Sequence, residues 1–182
     1  MEGKLVRLRG YERSDLEAIM KWINDEEVTQ FLGGEILALP QSSIAEMKFI
    51  ESAAERPALA ADRSLVIETV ADRKYLGGVA FHGINWHNRA AGVGIVIGDK
   101  SYWGRGYGSD AMRVLMRLGF DKLNLHRLWL HVYEFNQRAI ASYERCGFKR
   151  EGVLRKERFH KGAYYDTIVM GILVDEYRAM NP

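Results

Sequence analysis

The residues of this chain best placed to do chemistry are Trp103-Gly104-Arg105-Gly106-Tyr107-Gly108-Ser109. Alternating glycines let consecutive backbone N–H groups converge, and the helix predicted to follow points its positive end at the same spot. Together they make a cradle for an anion, with phosphate its commonest guest. Arg105 either adds charge to that cradle or is simply solvated. A Walker phosphate loop is excluded, because neither Gly-Lys-Ser nor Gly-Lys-Thr occurs anywhere in the chain. The dinucleotide fingerprint G-x-G-x-x-G/A is matched in letters by Gly106, Gly108 and Ala111. It lies mid-chain after an antiparallel pattern, however, and only one βαβ unit can be drawn around it. On the glycines alone, a turn serving only chain geometry remains open.

The elements around this loop decide what it can hold. Lys4 to Arg9 predicts a short first strand. Ser14 and Glu17 have the S-x-x-E spacing of a capping box, opening a helix through about Asn24 with Leu16, Ile19, Met20 and Ile23 on its buried face. Phe31 to Leu39 reads as a loop, and a second helix begins near Ser42 or Ser43. Ser64 to Val70 and Tyr75 to His82 form a hairpin across a polar turn, and Ala91 to Gly98 makes a small-residue, β-branched strand. After the glycine loop, a helix from about Ser109 to Lys122 carries Ala111, Met112, Leu115, Met116 and Gly119 as one stripe. His126 to Glu134 alternates Leu128, Leu130 and Val132 against Arg127, Trp129, His131 and Tyr133. Asn136 caps a short helix ending at Gly147, and two last strands, about Phe148 to Arg158 and Ala163 to Val174, flank a turn at 160–162. The fold class is α+β: one mixed sheet with helices on its faces, and a single domain over residues 1–182 with no linker to divide it.

Composition narrows the partners. A length of 182 residues suffices for one core around one sheet. A net charge of +2 gives no clustered basic footprint, so neither nucleic acid nor a membrane surface is expected as a partner. No apolar run approaches the ~20 residues that cross a bilayer, and Met1 to Arg9 lacks the apolar stretch of a signal peptide. The single Cys146 cannot form an intramolecular disulfide, and the scattered histidines have no metal-ligand spacing, so the expectation is a cytoplasmic protein without metal.

With its flanks included, the glycine loop resembles motif A of the GNAT superfamily of N-acetyltransferases, whose core pattern is Q/R-x-x-G-x-G/A. Gly106 and Gly108 hold the glycine positions, while Trp103 stands where the pattern has Gln or Arg. The W-G-x-G-Y form is typical of the branch containing ribosomal-protein N-terminal and spermidine acetyltransferases. The resemblance extends through Leu5-Val6-Arg7-Leu8, Trp22 to Asp25, Asn124 to Leu128, Asn136 to Phe148, and Glu151 to Arg155 leading to Asp166.

The resemblance implies a mostly antiparallel seven-stranded sheet with helices on both faces. Its fourth and fifth strands, Ala91–Gly98 and His126–Glu134 here, splay apart to admit acetyl-CoA. Carried over residue by residue, the backbone of Val96, Ile97 and Gly98 pairs with the pantetheine arm. Gly104, Arg105, Gly106, Tyr107, Gly108 and Ser109 take the pyrophosphate, and Asn136 contacts the cofactor beyond the thioester. Tyr143 matches the tyrosine that faces the sulfur in many relatives, and is the catalytic candidate.

The implied reaction is direct attack of a neutral amine on the thioester carbonyl. Tyr143 would protonate the departing thiolate, and a backbone N–H near Ile97 would meet the oxyanion. The acceptor is a protein N-terminus, a polyamine or another small amine, and the family habit implies a homodimer. A non-catalytic acyl-CoA sensor is the alternative, because no base is identified. Glu68, His82, His87 and Glu134 are conceivable bases, but each has a bland reading as a surface or satisfied polar group. Glu35 could meet a cationic acceptor, Trp86 with His87 could line its pocket, and Cys146 reads as a buried structural thiol.

Overall fold

The computed structural model describes residues 1–33, 39–57 and 60–180. Seven strands form one sheet: β1 (Val6–Arg9), β2 (Arg63–Thr69), β3 (Tyr75–Asn85), β4 (Ala90–Ile97), β5 (Arg127–Tyr133), β6 (Lys149–His160) and β7 (Ala163–Leu173). Their order across the sheet is β1-β2-β3-β4-β5-β7-β6. Every neighbouring pair is antiparallel except β4 and β5, which run parallel. The α+β class and the mixed seven-stranded sheet expected from the sequence are what the chain forms.

The β4–β5 pair matters most for function. Its register covers only Ala90, Ala91 and Gly92 against Arg127, Leu128 and Trp129. Beyond Gly92 the two strands part, so one edge of β4 over Val93 to Ile97 has no β5 residue paired to it. β5 does not lose its other neighbour. It stays paired with β7 along its whole length, from Arg127 opposite Leu173 to Tyr133 opposite Thr167.

Helices lie on both faces, and the alternation of β4 shows why. Ile95 and Ile97 pack with the large core that includes Met112, Leu115, Ile140 and Phe148, under α4 (Tyr107–Arg117) and α5 (Gln137–Arg145). Val96 points the other way, into a smaller cluster of Ile19, Trp22, Val28 and Ile50. That cluster is built by α1 (Leu16–Met20), α2 (Glu26–Thr29) and α3 (Ser43–Glu55). The expected stripe on α4 is fully realised, with Ala111, Met112, Leu115 and Met116 each at most 2% exposed. Leu128, Leu130 and Val132 of β5 are likewise buried.

Several local expectations were displaced. The first helix does not begin at a Ser14–Glu17 box. Instead the Glu12 N–H donates to Asp15 Oδ2 at 2.9 Å, opening a short 3₁₀ turn before α1, and Arg9 grips the same carboxylate at 2.7 Å. Nor does that helix continue to Asn24. It stops at Met20, and Asp25, whose side chain accepts from the Glu27 N–H, caps the separate α2. The long helix after the glycine loop starts at Tyr107, two residues early, and its last turn, Leu118–Lys122, widens to π geometry. The last strand, expected to run to about Val174, ends at Leu173, and Val174 opens a C-terminal helix, α6 (Val174–Met180). In contrast, Ser42 caps α3, and Asn136 caps α5 by accepting from the Ala139 N–H at 3.2 Å.

Candidate active site

The parted strands, the glycine loop and α5 enclose a cleft of about 400 Å³. Its cradle is built as the sequence suggests. Gly104 and Gly106 have φ of +73° and +88°, values that favour glycine, and Gly106 is the N-cap of α4. The first N–H groups of α4 therefore open on the cleft beside a backbone that no Cβ obstructs: a side-chain carbon built at Gly104 would meet nothing within 4 Å. Asp110, the acid in the first turn of α4, is buried and turned away from the cleft. Its Oδ2 accepts from the N–H groups of Leu5 and Val6 at 2.8 and 3.1 Å, which ties β1 to the helix.

The wall formed by β4 presents alternate peptides. Along a strand, the N–H and C=O of one residue point to one neighbour and those of the next residue to the other. The Gly98 N–H donates to Leu76 O at 2.7 Å, and the Val96 carbonyl lies against Gly77, so both face β3. Ile95 and Ile97 face the cleft. The Ile97 carbonyl accepts from Trp103 Nε1 at 2.7 Å, which explains the tryptophan that stands in place of Gln or Arg: it fastens the glycine loop to the end of β4. Arg138 stacks on the other side of that indole, 3.7 Å from its centroid, and burial pushes its guanidinium pKa down. Gly98 is covered instead by the Trp22 ring, which leaves no room for a Cβ.

Of the residues expected at the site, Val96, Ile97, Gly104, Gly106, Gly108 and Ser109 line this one cleft, as do Asn136 and Tyr143. Gly98, Arg105 and Tyr107 do not: Arg105 is exposed, and the Tyr107 ring packs edge-on against Tyr102 at 4.8 Å. Tyr143 is 8% exposed, and burial raises its phenol well above the usual tyrosine range. It therefore keeps its proton across the whole neutral and mildly alkaline range. Two contacts fix its helix against the cradle. Ser109 and Ser142 share a hydroxyl hydrogen bond of 2.7 Å, and the buried Cys146 thiol, its pKa also raised by burial, donates to Ser109 O at 3.6 Å. Cys146 is thus a packing thiol, as expected.

None of the four conceivable bases lines the cleft. Glu68 is 2% exposed, clamped between Arg7 and Arg9 at the β1–β2 corner. Burial opposes its charge, but the hydrogen bonds from Arg9 and Arg7 outweigh that and hold its carboxyl below the usual range. His82 packs against Trp129, and burial lowers its pKa. His87 sits in the turn after β3, away from the cleft with Trp86. Glu134 accepts from the Asp166 N–H at 2.8 Å. Glu35 lies outside the described residues.

One carboxylate does reach the cleft, and sequence reasoning missed it. Glu157 lines it next to Thr167, whose hydroxyl donates to Glu157 Oε2 at 2.6 Å. A strand's simple alternation does not predict this. Between Leu154 and Arg158, β6 carries two more residues than the facing stretch of β7, with Lys156 at φ +54° and its N–H donating to Asp166 Oδ1 at 2.9 Å. Such a bulge re-aims the side chains after it.

A glycine loop opening on a helix N-terminus, an open strand edge and a buried, protonated tyrosine line one cleft, an arrangement chemically suited to a coenzyme A thioester. The chain belongs to the GNAT family: the family model described as an acetyltransferase (GNAT) domain matches residues 6–149. It is 33% identical over 175 residues to spermidine N(1)-acetyltransferase of Vibrio cholerae, covering 93% of this chain and 94% of that protein. It is 32% identical over 179 residues to the enzyme of the same name from Escherichia coli K12, covering 96% and 89%. The crystal structure of the V. cholerae spermidine N-acetyltransferase in complex with CoA and spermine superposes with a TM-score of 0.83 at 30% identity, covering 95% of this chain and 98% of that one. The protein is an N-acetyltransferase that moves an acetyl group from acetyl-CoA to an amine. The reading as a non-catalytic sensor gains no support from these relatives.

Proposed function

We propose that the acceptor is a polyamine or a closely related small amine bearing a second positive charge. The observation that carries this is the full-length similarity to two spermidine acetyltransferases, together with the presence of a carboxylate, Glu157, in the cleft. A protein N-terminus is the weaker candidate, because the relatives that carry the similarity act on spermidine.

The thioester supplies the acetyl group, and the residues of this chain supply position and protons. The open edge of β4 at Ile95 holds the pantetheine arm, with Asn136 at its far side. The N–H groups from Gly104 to Ser109 hold the diphosphate, and the Ile97 N–H meets charge developing on the carbonyl oxygen. Tyr143, kept protonated by burial, gives its proton to the departing sulfur. The amine arrives neutral, and the proton its nitrogen sheds on forming the amide is balanced by the one Tyr143 takes back from solvent at the open mouth of the cleft, so the phenol is restored. We place the enzyme in the cytoplasm, where the reduced, buried Cys146 and the use of acetyl-CoA are at home. A homodimer is part of the same proposal, with the exposed outer strand β6, carrying Val153 and Leu154, as the edge available to a second copy.

The test is a thiol-release assay with acetyl-CoA against polyamines, amino acids, amino sugars and short peptides with free N-termini. Turnover concentrated on polyamines is the expected result. Turnover on peptides alone would overturn the proposed acceptor while leaving acetyl transfer intact.

A further inference from the structure

We infer that Glu157 is the residue that selects the acceptor, by holding its second, non-reacting ammonium group at the rim of the cleft. The inference rests on the proposed polyamine acceptor and assigns that specificity to one side chain.

Three observations carry it. Among the described residues lining the cleft, Glu157 is the single carboxylate, while the remaining formal charges there belong to Arg138 and Arg145. Its position is built by several contacts acting together: the two-residue bulge in β6, the left-handed Lys156 pinned to Asp166, and the hydroxyl of Thr167, itself 1% exposed, on Oε2. One carboxylate oxygen, Oε2, is thereby held by Thr167 in the lining of the cleft. Third, Glu157 is exposed, whereas Tyr143 is 8% exposed in the wall. The carboxylate therefore lies at the entrance and the phenol at the buried end.

That separation decides which nitrogen Glu157 meets. A carboxylate favours the charged form of any amine it touches and so raises that amine's pKa. Against the attacking nitrogen this would oppose the reaction, which needs a neutral amine. Against a second nitrogen it only strengthens binding, because that nitrogen stays an ammonium throughout. Neighbouring aromatic side chains give the methylene linker an apolar surface. Tyr133 and Phe31 line the cleft, and Phe135 joins them, stacked on Tyr133 at 5.5 Å and tilted against Phe31 at 6.0 Å. Arg158 already covers one face of Tyr133, 4.8 Å from its centroid, leaving Glu157 as the group open to a cation.

The experiment compares diaminobutane with butylamine, which share a carbon chain and differ in the second ammonium. It measures kcat/KM for both in wild type, E157Q and T167V, with the rise in Tm on adding acetyl-CoA as the check that each variant is folded. Wild type should prefer the diamine. In E157Q the diamine-to-monoamine ratio should fall about tenfold, through the KM of the diamine, matching the loss of ~1.4 kcal/mol that a tenfold change represents. T167V should shift the ratio the same way by about threefold, because it frees the carboxylate without removing it. A merely structural role would lower both substrates together and leave the ratio unmoved. A diamine preference that survives in E157Q overturns the anchor and leaves the polyamine acceptor standing. Turnover of neither amine by wild type removes the polyamine acceptor and the anchor with it.

Discussion

In the proposed function, the two walls of the cleft recognise their ligands in different ways. The cofactor wall is contiguous in sequence: β4, the glycine loop and the start of α4 follow one another from Ala90 to Ser109, and α5 adds Asn136 and Tyr143. It works mainly through backbone N–H groups and helix termini. The wall proposed for the acceptor is assembled from distant pieces, Phe31 from the turn after α2, Tyr133 from β5, Glu157 from β6 and Thr167 from β7, and it presents side chains. Backbone recognition fixes chain geometry, and chain geometry needs particular residues at particular spacings. Side-chain recognition needs only that suitable groups arrive at one place, so many sequences can meet it.

Three experiments would break or sharpen that contrast, beyond those on Glu157 and the acceptor panel. The largest effect should come from Tyr143→Phe, where the walls meet. We expect kcat to fall by about 10²-fold, the lower end of what general acids contribute, with the acetyl-CoA-induced rise in Tm retained. Because burial raises the phenol pKa, the rate should show no falling limb near ~10, the ordinary tyrosine value. A falling limb there would mean that the working phenol is solvated.

Gly106→Ala tests the cofactor wall as pure backbone. The new methyl would reach Leu5 Cδ1 only at 3.7 Å, an ordinary contact, so any loss comes from φ +88° alone. A left-handed non-glycine residue costs ~1–2 kcal/mol. The expected outcome is a Tm several degrees lower and a KM for acetyl-CoA raised about tenfold, with acceptor preference unchanged. A changed acceptor preference would show that the walls are not separable. Trp103→Phe should have the smallest effect. It keeps the aromatic face under Arg138 and removes the donor to Ile97 O, a hydrogen bond worth ~1 kcal/mol. A two- to fivefold rise in the KM for acetyl-CoA, measured in the same assay, is expected.

Legibility in the sequence follows the same division. The stripe on α4, the alternation of β5, the caps at Ser42 and Asn136 and the glycine cradle were all readable, because each is a local pattern whose physics acts within a turn or a strand. The opening of the first helix was hidden, because Asp15 is drawn into a contact with Arg9 that no local rule contains. The choice of Ile95 and Ile97 over Val96 and Gly98 as the open edge of β4 was equally hidden. It depends on which neighbour each peptide faces, and that is set by pairing with β3.

By itself, then, the sequence determined the class of fold and the glycine turn that opens α4, since left-handed glycines, helix caps and apolar periods are properties of neighbouring residues. Tertiary structure alone decided which carboxylate faces the cleft. Glu68 has the right chemistry but is locked between two arginines, while Glu157 is turned inward by a bulge whose register exists only once β6 has paired with β7.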